Sequence, residues 1–382
     1  MPIQIDTIEE IFAASTDLTV GLEEEFAILD PQTLDLVARF EELRTAAADQ
    51  DPTLFAAITG ELIASEIEIV SGRGEDLHDA IARQRDARRR LFQIAGERGV
   101  ALGSTGTHPW ADYREQPNID TEHYRRVVEG LGYVARRNNT FSLHVHVGAR
   151  DIDRAVRACD RLRPVLPLLL AVSSSSPFLE GQNTHLHSAR TQIFTKSFPR
   201  CGVPDAFGGW PAYRDYLDLL LRTSSVVEYT QLWWSIRPHA SFGTVEVRIC
   251  DAQITAAESE QLAGLIVACV GQALRDIDDG VPFEDPAARL IEENLWRALR
   301  HGMEGRMIDL GRGVEIDTRA ALDELLQWTA PVREEARIEA AFDRPSGAQR
   351  QRAALAEGAG LREVYASTVR ETMTTYAQEV PA

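Results

Sequence analysis

The sequence predicts an α+β fold in one domain, a curved sheet with helices on its outer face. Three observations carry this expectation. Several segments alternate polar and apolar residues with the period of two that a half-buried strand requires. Others repeat apolar residues at helical spacing. The two kinds of segment follow one another irregularly, without the regular strand–helix rhythm of a barrel. The 382 residues are 44% hydrophobic, enough for a sizeable core. No repeat, low-complexity stretch or clear linker divides them, so 1–382 is expected to be a single unit.

Residues 18–29 read as a strand ended by the turn Asp30-Pro31, with a hairpin partner over 34–38. Residues 61–70 read as a second strand, closed by Ser71-Gly72. From 76 to 96 the pattern is helical: Leu77, Ile81, Leu91 and Ile94 form an apolar stripe. The basic run RQRDARRR lies between these positions and is expected to be a solvated face paired with nearby acids. A short strand over 100–104, a helix over 124–137 and a strand over 140–148 follow. Asp151 caps a long helix running toward 173. The stretch 173–210, rich in Gly, Pro and Ser, is too long for a plain connection and is expected to be functional or mobile. A helix over 212–222, paired strands over 232–236 and 244–250 around Gly243, and a strong helix over 256–273 complete the catalytic part, 18–275. Everything from 286 to 382 reads as a polar, helical C-terminal part without strands.

The formal net charge is −19. A chain this acidic is a poor binder of nucleic acid or anionic membrane through its general field. Any anionic substrate must meet local positive charge or metal ions. Cys159, Cys201, Cys250 and Cys269 form no CxxC pair. They read as free thiols, mostly buried, which suits a reducing compartment. The N-terminal residues lack the pattern of a signal peptide, and the apolar stretch 165–172 is too short to cross a bilayer. A cytoplasmic protein is expected.

Chemistry concentrates in four pairs of polar residues, each with one residue between them: Glu23/Glu25, Glu66/Glu68, His144/His146 and Glu246/Arg248. In a strand such residues share a face. Carboxylates suit hard cations such as magnesium. Two imidazoles on one face can hold a metal, or divide between metal and ligand. An acid beside a guanidinium reads either as a salt bridge or as an acid on metal next to an arginine on phosphate. The ordinary alternatives for the other pairs are a solvated strand edge and core histidines satisfied by hydrogen bonds. Glu24 interrupts the alternation and points the other way. Glu61 has the opposite parity to Glu68, so only a bulge or bend could bring both into one site. No GxxxxGK[ST], GxGxxG, GxSxG or HExxH motif occurs, and Ser173–Ser176 reads as a helix-end loop. Without an obvious nucleophile, the pattern favours chemistry that positions two substrates and neutralises charge, as in phosphoryl transfer.

The ordered motifs GLEEEF, EIEIVSG, GTHP, LHVHVG and TVEVRICD, spread over roughly residues 18–275, resemble the type 2 glutamate–cysteine ligases, also described as ATP-dependent carboxylate–amine ligases. The resemblance implies a glutamine synthetase-like fold, a curved and largely antiparallel sheet forming a funnel with ATP entering one end and the amino acid the other. It implies that Glu23, Glu25, Glu68, Glu246 and His144 hold Mg2+, with Glu61 as a further ligand. His146 would face the nucleotide phosphates, and Arg248, with Glu246 the catalytic pair, would stabilise the transferring phosphoryl group. Arg190, in SARTQIF, looks like the family's substrate-loop arginine and is grouped with His146 and Arg248 as cofactor-binding. The implied reaction phosphorylates the side-chain carboxylate of glutamate and lets an amine such as cysteine displace phosphate. The partners are then small molecules, glutamate and an amine; self-association is left open.

Two other classes compete on the residues alone. One is a metal-dependent hydrolase of the His-x-His barrel type, whose His pair usually sits on the first strand. The other is a non-catalytic relative that binds glutamate or nucleotide without turnover.

Overall fold

The computed structural model describes residues 5–378, so the outer bounds of the expected single domain, 1 and 382, lie outside the described residues. Seven strands form one sheet: β1 Val20–Leu29, β2 Ile58–Thr59, β3 Glu66–Val70, β4 Ala101–Gly103, β5 Ser142–Gly148, β6 Ile236–His239 and β7 Thr244–Asp251. Their order is β6-β7-β5-β1-β3-β2, with β4 also paired to β1, and every pairing is antiparallel. The expected α+β fold with a curved antiparallel sheet is the fold observed. The register shifts between Val247 and Cys250. Such a bulge bends a strand and re-aims its side chains; here the backbone N–H of Arg248 donates to Ser235 O instead.

One face of the sheet is apolar because every second residue is. Leu22, Phe26, Ile67, Ile69, Leu143, Val145, Val147, Val245 and Val247 are all buried. They pack under helices α1 Leu77–Glu97, α2 Ile152–Leu162 and α3 Ala256–Asp278, the last two joined in one core with β5 and β7. Asp76 accepts the Asp79 N–H, Asp151 accepts those of Asp153 and Arg154, and Thr255 with Glu258 forms a capping box. These side chains satisfy donors that a helix start leaves open.

Several boundaries differ from the sequence reading. The long helix expected after Asp151 stops at Leu162, passes through a short 3-10 turn containing Pro164, and resumes over Leu166–Ser173. Proline lacks the N–H that a continuous helix needs. The helix expected over 124–137 is α-helical only over Glu122–Leu131 and tightens to 3-10 over Gly132–Arg137. The strand expected over 61–70 begins only at Glu66. Residues 62–64 instead hydrogen-bond to the segment 117–119, through Ala64 N to Pro117 O and Ile119 N to Leu62 O. The basic run on α1 is paired but not simply solvated. Arg88 is buried and binds Glu24 and Glu260, while Arg85 shares Glu260.

The C-terminal part is not strand-free. Arg306–Asp309 and Val314–Asp317 form an antiparallel hairpin. Asp309 accepts the N–H groups of Gly311 and Arg312, and Gly313 takes a positive φ of 66° to close the turn. The strands are only four residues long and half of their residues are charged, which hid them from a hydrophobicity pattern. The last described helix, Leu361–Ala377, completes the core: Tyr376 packs edge-on against Phe26 and stacks with Phe92 at 5.6 Å.

Candidate active site

The other face of the sheet carries the chemistry. Register places Glu25 opposite Glu68, Glu23 opposite His144, Ala27 opposite Glu66, and Glu246 opposite both His146 and Arg237. Residues directly opposite on neighbouring strands share a face, so the four pairs read from the sequence form one row across β3, β1, β5 and β7. Glu24 points to the helix side, as its parity requires, where Arg88 binds it through Nε at 2.5 Å and Nη2 at 2.6 Å.

Glu23 is the hinge of the row. Its Oε2 lies 3.0 Å from His144 Nδ1 and its Oε1 3.0 Å from His146 Nε2. His144 Nε2 meets Ser142 Oγ at 2.8 Å, and His146 Nδ1 meets Thr244 Oγ1 at 3.0 Å. Burial, the largest influence on Glu23, would raise its pKa, but the two imidazoles hold it well below the usual carboxylate range. The histidines diverge. Burial, joined by Arg248, lowers His144; burial also lowers His146, but there Glu23 and Glu246 win and the net shift is upward. Both imidazoles offer ring nitrogens to the ligand sets described below.

The carboxylates are crowded. Burial and then Glu25 push Glu61 up to about 7. Burial and the neighbouring acids Glu23, Glu61 and Glu25 raise Glu68 well above its ordinary value, and burial with Glu25 does the same to Glu66. Negative charge gathered out of water is a standing demand for cations. Three overlapping sets offer ligand atoms within 4.8 Å of one another: Glu23–Glu68–His144, Glu23–His146–Glu246 and Glu25–Glu61–Glu68. All five residues expected to hold metal fall in these sets, and Glu61 joins them because the chain bends before β3 instead of running straight. Oxygen-rich sets of this kind fit magnesium.

Glu246 is held between two guanidinium groups. Arg237 Nε donates to its Oε2 at 2.5 Å, and Arg248 donates to its Oε1. Burial would raise Glu246, but Arg237 and Arg248 keep it well below the usual range. Glu246/Arg248 is thus a salt bridge, and the same carboxylate lies in the set with Glu23 and His146. Sequence reasoning missed Arg237. Its signal was present: Arg237 and His239 repeat the same i, i+2 pattern on β6, masked by the intervening Pro238.

Two chambers flank the row. A polar chamber of 260 Å³ is lined by Glu25, Glu61, Glu66, His144, Arg190 and Arg248, and walled by Tyr124, Phe194, Phe198 and Trp233. An apolar-walled chamber of 600 Å³ is lined by Glu23, Glu68 and His146, together with Val20, Leu22, Val70, Arg73 and Phe242. Phe242 is 60% exposed, and one face of its ring stacks on His239 at 4.6 Å and 11°. The structure thus separates the residues grouped as cofactor-binding: His146 lines one chamber, Arg190 and Arg248 the other.

The polar stretch 173–210 is folded, and its serines have a task. Asp251, fully buried at the end of β7, accepts from Ser175 N at 2.9 Å, Ser176 Oγ at 2.7 Å and Ser188 Oγ at 2.8 Å. This pins the helix Ala189–Ser197, on whose first turn Arg190 donates to the carbonyls of Arg248 and Ile249. A Cβ on Gly106 of the GTHP motif would lie 2.6 Å from Asp251 Cγ, so only glycine allows this close approach. The antiparallel sheet has no counterpart to the barrel of a His-x-His hydrolase. Its His pair lies on β5, between β1 and β7.

Comparison with known proteins agrees with this architecture. Residues 19–370 match the family described as glutamate–cysteine ligase family 2. A protein of Solibacter usitatus named putative glutamate–cysteine ligase 2 is 35% identical over 363 residues, 93% of each chain. A Rubrobacter xylanophilus protein, named likewise as form 2-2, is 36% identical over 368 residues, 95% of this chain and 94% of its own. Among solved structures, glutamate–cysteine ligase from Francisella tularensis, in complex with AMP, superposes with a TM-score of 0.68 at 13% identity, covering 95% of this chain and 91% of that one. The last likeness is one of fold.

Proposed function

The chain belongs to glutamate–cysteine ligase family 2, and from that footing we propose that it is an ATP- and Mg2+-dependent ligase joining the side-chain carboxylate of glutamate to an amine, cysteine in the activity that names the family, through an acyl phosphate. The observation that carries the proposal is the row of overlapping ligand sets lying between two chambers. A reaction that brings a nucleotide to one side of a metal platform and an amino acid to the other needs this arrangement.

In this reading the apolar-walled chamber takes ATP, with Phe242 against the base and His146 toward the phosphates. The polar chamber takes glutamate and the amine. Glu23, Glu25, Glu61, Glu68, His144 and Glu246 would hold magnesium, which when bound neutralises phosphate charge and polarises the acceptor carboxylate. Arg248, anchored by Glu246, offsets charge on the phosphoryl group in flight. Arg237 holds Glu246 ionised and oriented, and Asp251 fixes the turn that presents Arg190. In the same reading residues 18–275 are the catalytic part and 286–382 the C-terminal part, whose helix Leu361–Ala377 packs on the core. The four free thiols fit a cytoplasmic setting, and no helix among the described residues is long and apolar enough to cross a membrane.

The test is ADP release with MgATP, L-glutamate and a panel of amines including cysteine, with mass spectrometry of the product. A glutamyl amide dependent on magnesium is expected. If no amine in the panel elicits ADP release, the ligase reading is removed. Full turnover in both Glu246→Ala and Arg248→Ala would remove the residue assignment.

A further inference from the structure

Three buried atoms on residues lining the polar chamber have no hydrogen-bond partner: Glu66 Oε2, Arg190 Nε and Arg248 Nε. Glu66 is 1% exposed and Arg190 4%. A buried polar atom left without a partner is costly, more so on a charged group, and native structures keep few of them without a reason. These three are complementary in kind, one carboxylate acceptor and two guanidinium donors. The ligand that completes such a set carries an ammonium and a carboxylate on one small body, as the α-carbon of an amino acid does.

Glu66 belongs to none of the metal-type sets, although it borders one of them at Glu25. It lies on the same strand face as Glu68, and its cross-strand neighbour is Ala27, a small side chain. Same-face neighbours on a strand are about 7 Å apart. An extended glutamate spans about 5 Å from its α-nitrogen to its side-chain carboxyl carbon, and a hydrogen bond of about 3 Å at the ammonium end lets it bridge that distance. A glutamate held at Glu66 would therefore deliver its reacting group to the row at Glu25 and Glu68. Arg248 faces the transferring phosphoryl group, which leaves Arg190 for the α-carboxylate.

We propose that Glu66 binds the α-ammonium of the amino-acid substrate while Arg190 takes its α-carboxylate. The proposal rests on the ligase reading and adds to it the residue that distinguishes glutamate from a dicarboxylate without an amine. The α-ammonium of glutamate stays charged throughout the reaction, whereas the attacking amine must lose its proton, so a fixed carboxylate suits the former.

The test is calorimetric titration of the full chain with L-glutamate and with glutarate, both in the presence of Mg2+ and a non-hydrolysable ATP analogue. The wild type is expected to bind glutamate about 10- to 100-fold more tightly than glutarate, the range for a charge-assisted hydrogen bond. Glu66→Gln is expected to lose most of that preference by weakening glutamate alone, with affinity for the nucleotide analogue unchanged. The proposal is overturned if the wild type binds the two acids alike or binds neither. It is equally overturned if E66Q weakens both acids equally or raises KM for the amine instead. The wild-type comparison can still overturn the proposal if E66Q fails to fold. Failure of the ligase reading shows separately, as wild-type protein that binds glutamate but releases no ADP with any amine.

Discussion

Three consecutive acids, Glu23, Glu24 and Glu25, have opposite duties because a strand turns alternate residues to opposite faces, and Arg88→Met tests this. Arg88 is 1% exposed and Glu24 4% exposed. The substitution removes contacts of 2.5 Å and 2.6 Å to Glu24 and one of 2.9 Å to Glu260. Glu24 then keeps Gln84 at 2.8 Å and the hydroxyl of Ser259, both neutral. Removing one partner of a buried ion pair leaves an uncompensated charge and costs about 3–5 kcal/mol. Replacing both partners by apolar groups costs far less, so R88M/E24L should recover most of the loss. Urea denaturation followed by circular dichroism measures both. Below the unfolding range, R88M should keep its magnesium affinity, because Arg88 and Glu24 lie on the helix side of the sheet. Unchanged stability in R88M, or a loss of magnesium binding in Glu24→Gln as large as that in Glu25→Gln, would refute the parity argument.

Three further outcomes are expected. Glu68→Gln should lower magnesium-dependent turnover by at least about 100-fold; magnesium should raise the melting temperature of the wild type and not of the variant, by differential scanning fluorimetry. Phe242→Ala should raise KM for ATP about tenfold, the worth of one base–aromatic stack, and leave KM for glutamate unchanged in steady-state assays. His108 is buried and its pKa falls to about 4, chiefly by burial. Its folded value lies below its ordinary one, so the neutral ring stabilises fully above about pH 6.5, and about 3 kcal/mol is lost as pH falls from there to about 4. The stability gap between wild type and His108→Gln in urea should therefore narrow over that window; a constant gap would show that His108 does not carry this dependence.

What the sequence revealed depended on the range of the signal. β1, β3, β5 and β7 were legible because alternation is written residue by residue, and the row of site residues followed from it. Glu61 was legible as an acid but not as a neighbour of Glu68, since the bend that joins them is set by pairing with residues 117–119, far along the chain. Asp251 was invisible as an anchor because its partners Ser175, Ser176 and Ser188 are more than sixty residues away and serine is ordinary in loops. Glu66 fell from view because parity alone cannot separate a metal ligand from a neighbour that binds something else. The hairpin over 306–317 stayed hidden because its strands are four residues each and bury little beyond Met307 and part of Ile316.

Glu23 and Glu25 sit two residues apart on β1, yet each belongs to a different chamber. The partition between the chambers is one pleat thick, and it is made of regular strand. The outer walls are made differently: the helices Glu122–Leu131 and Ala189–Ser197 and the segment 228–233 enclose the polar side, while the turns at 72–73 and 241–242 enclose the other. Loops and short helices tolerate replacement that a central strand does not. On the proposed ligase reading, descendants of this chain are therefore free to trade one amine for another by rebuilding a single wall, keeping the same row of carboxylates and imidazoles beneath it.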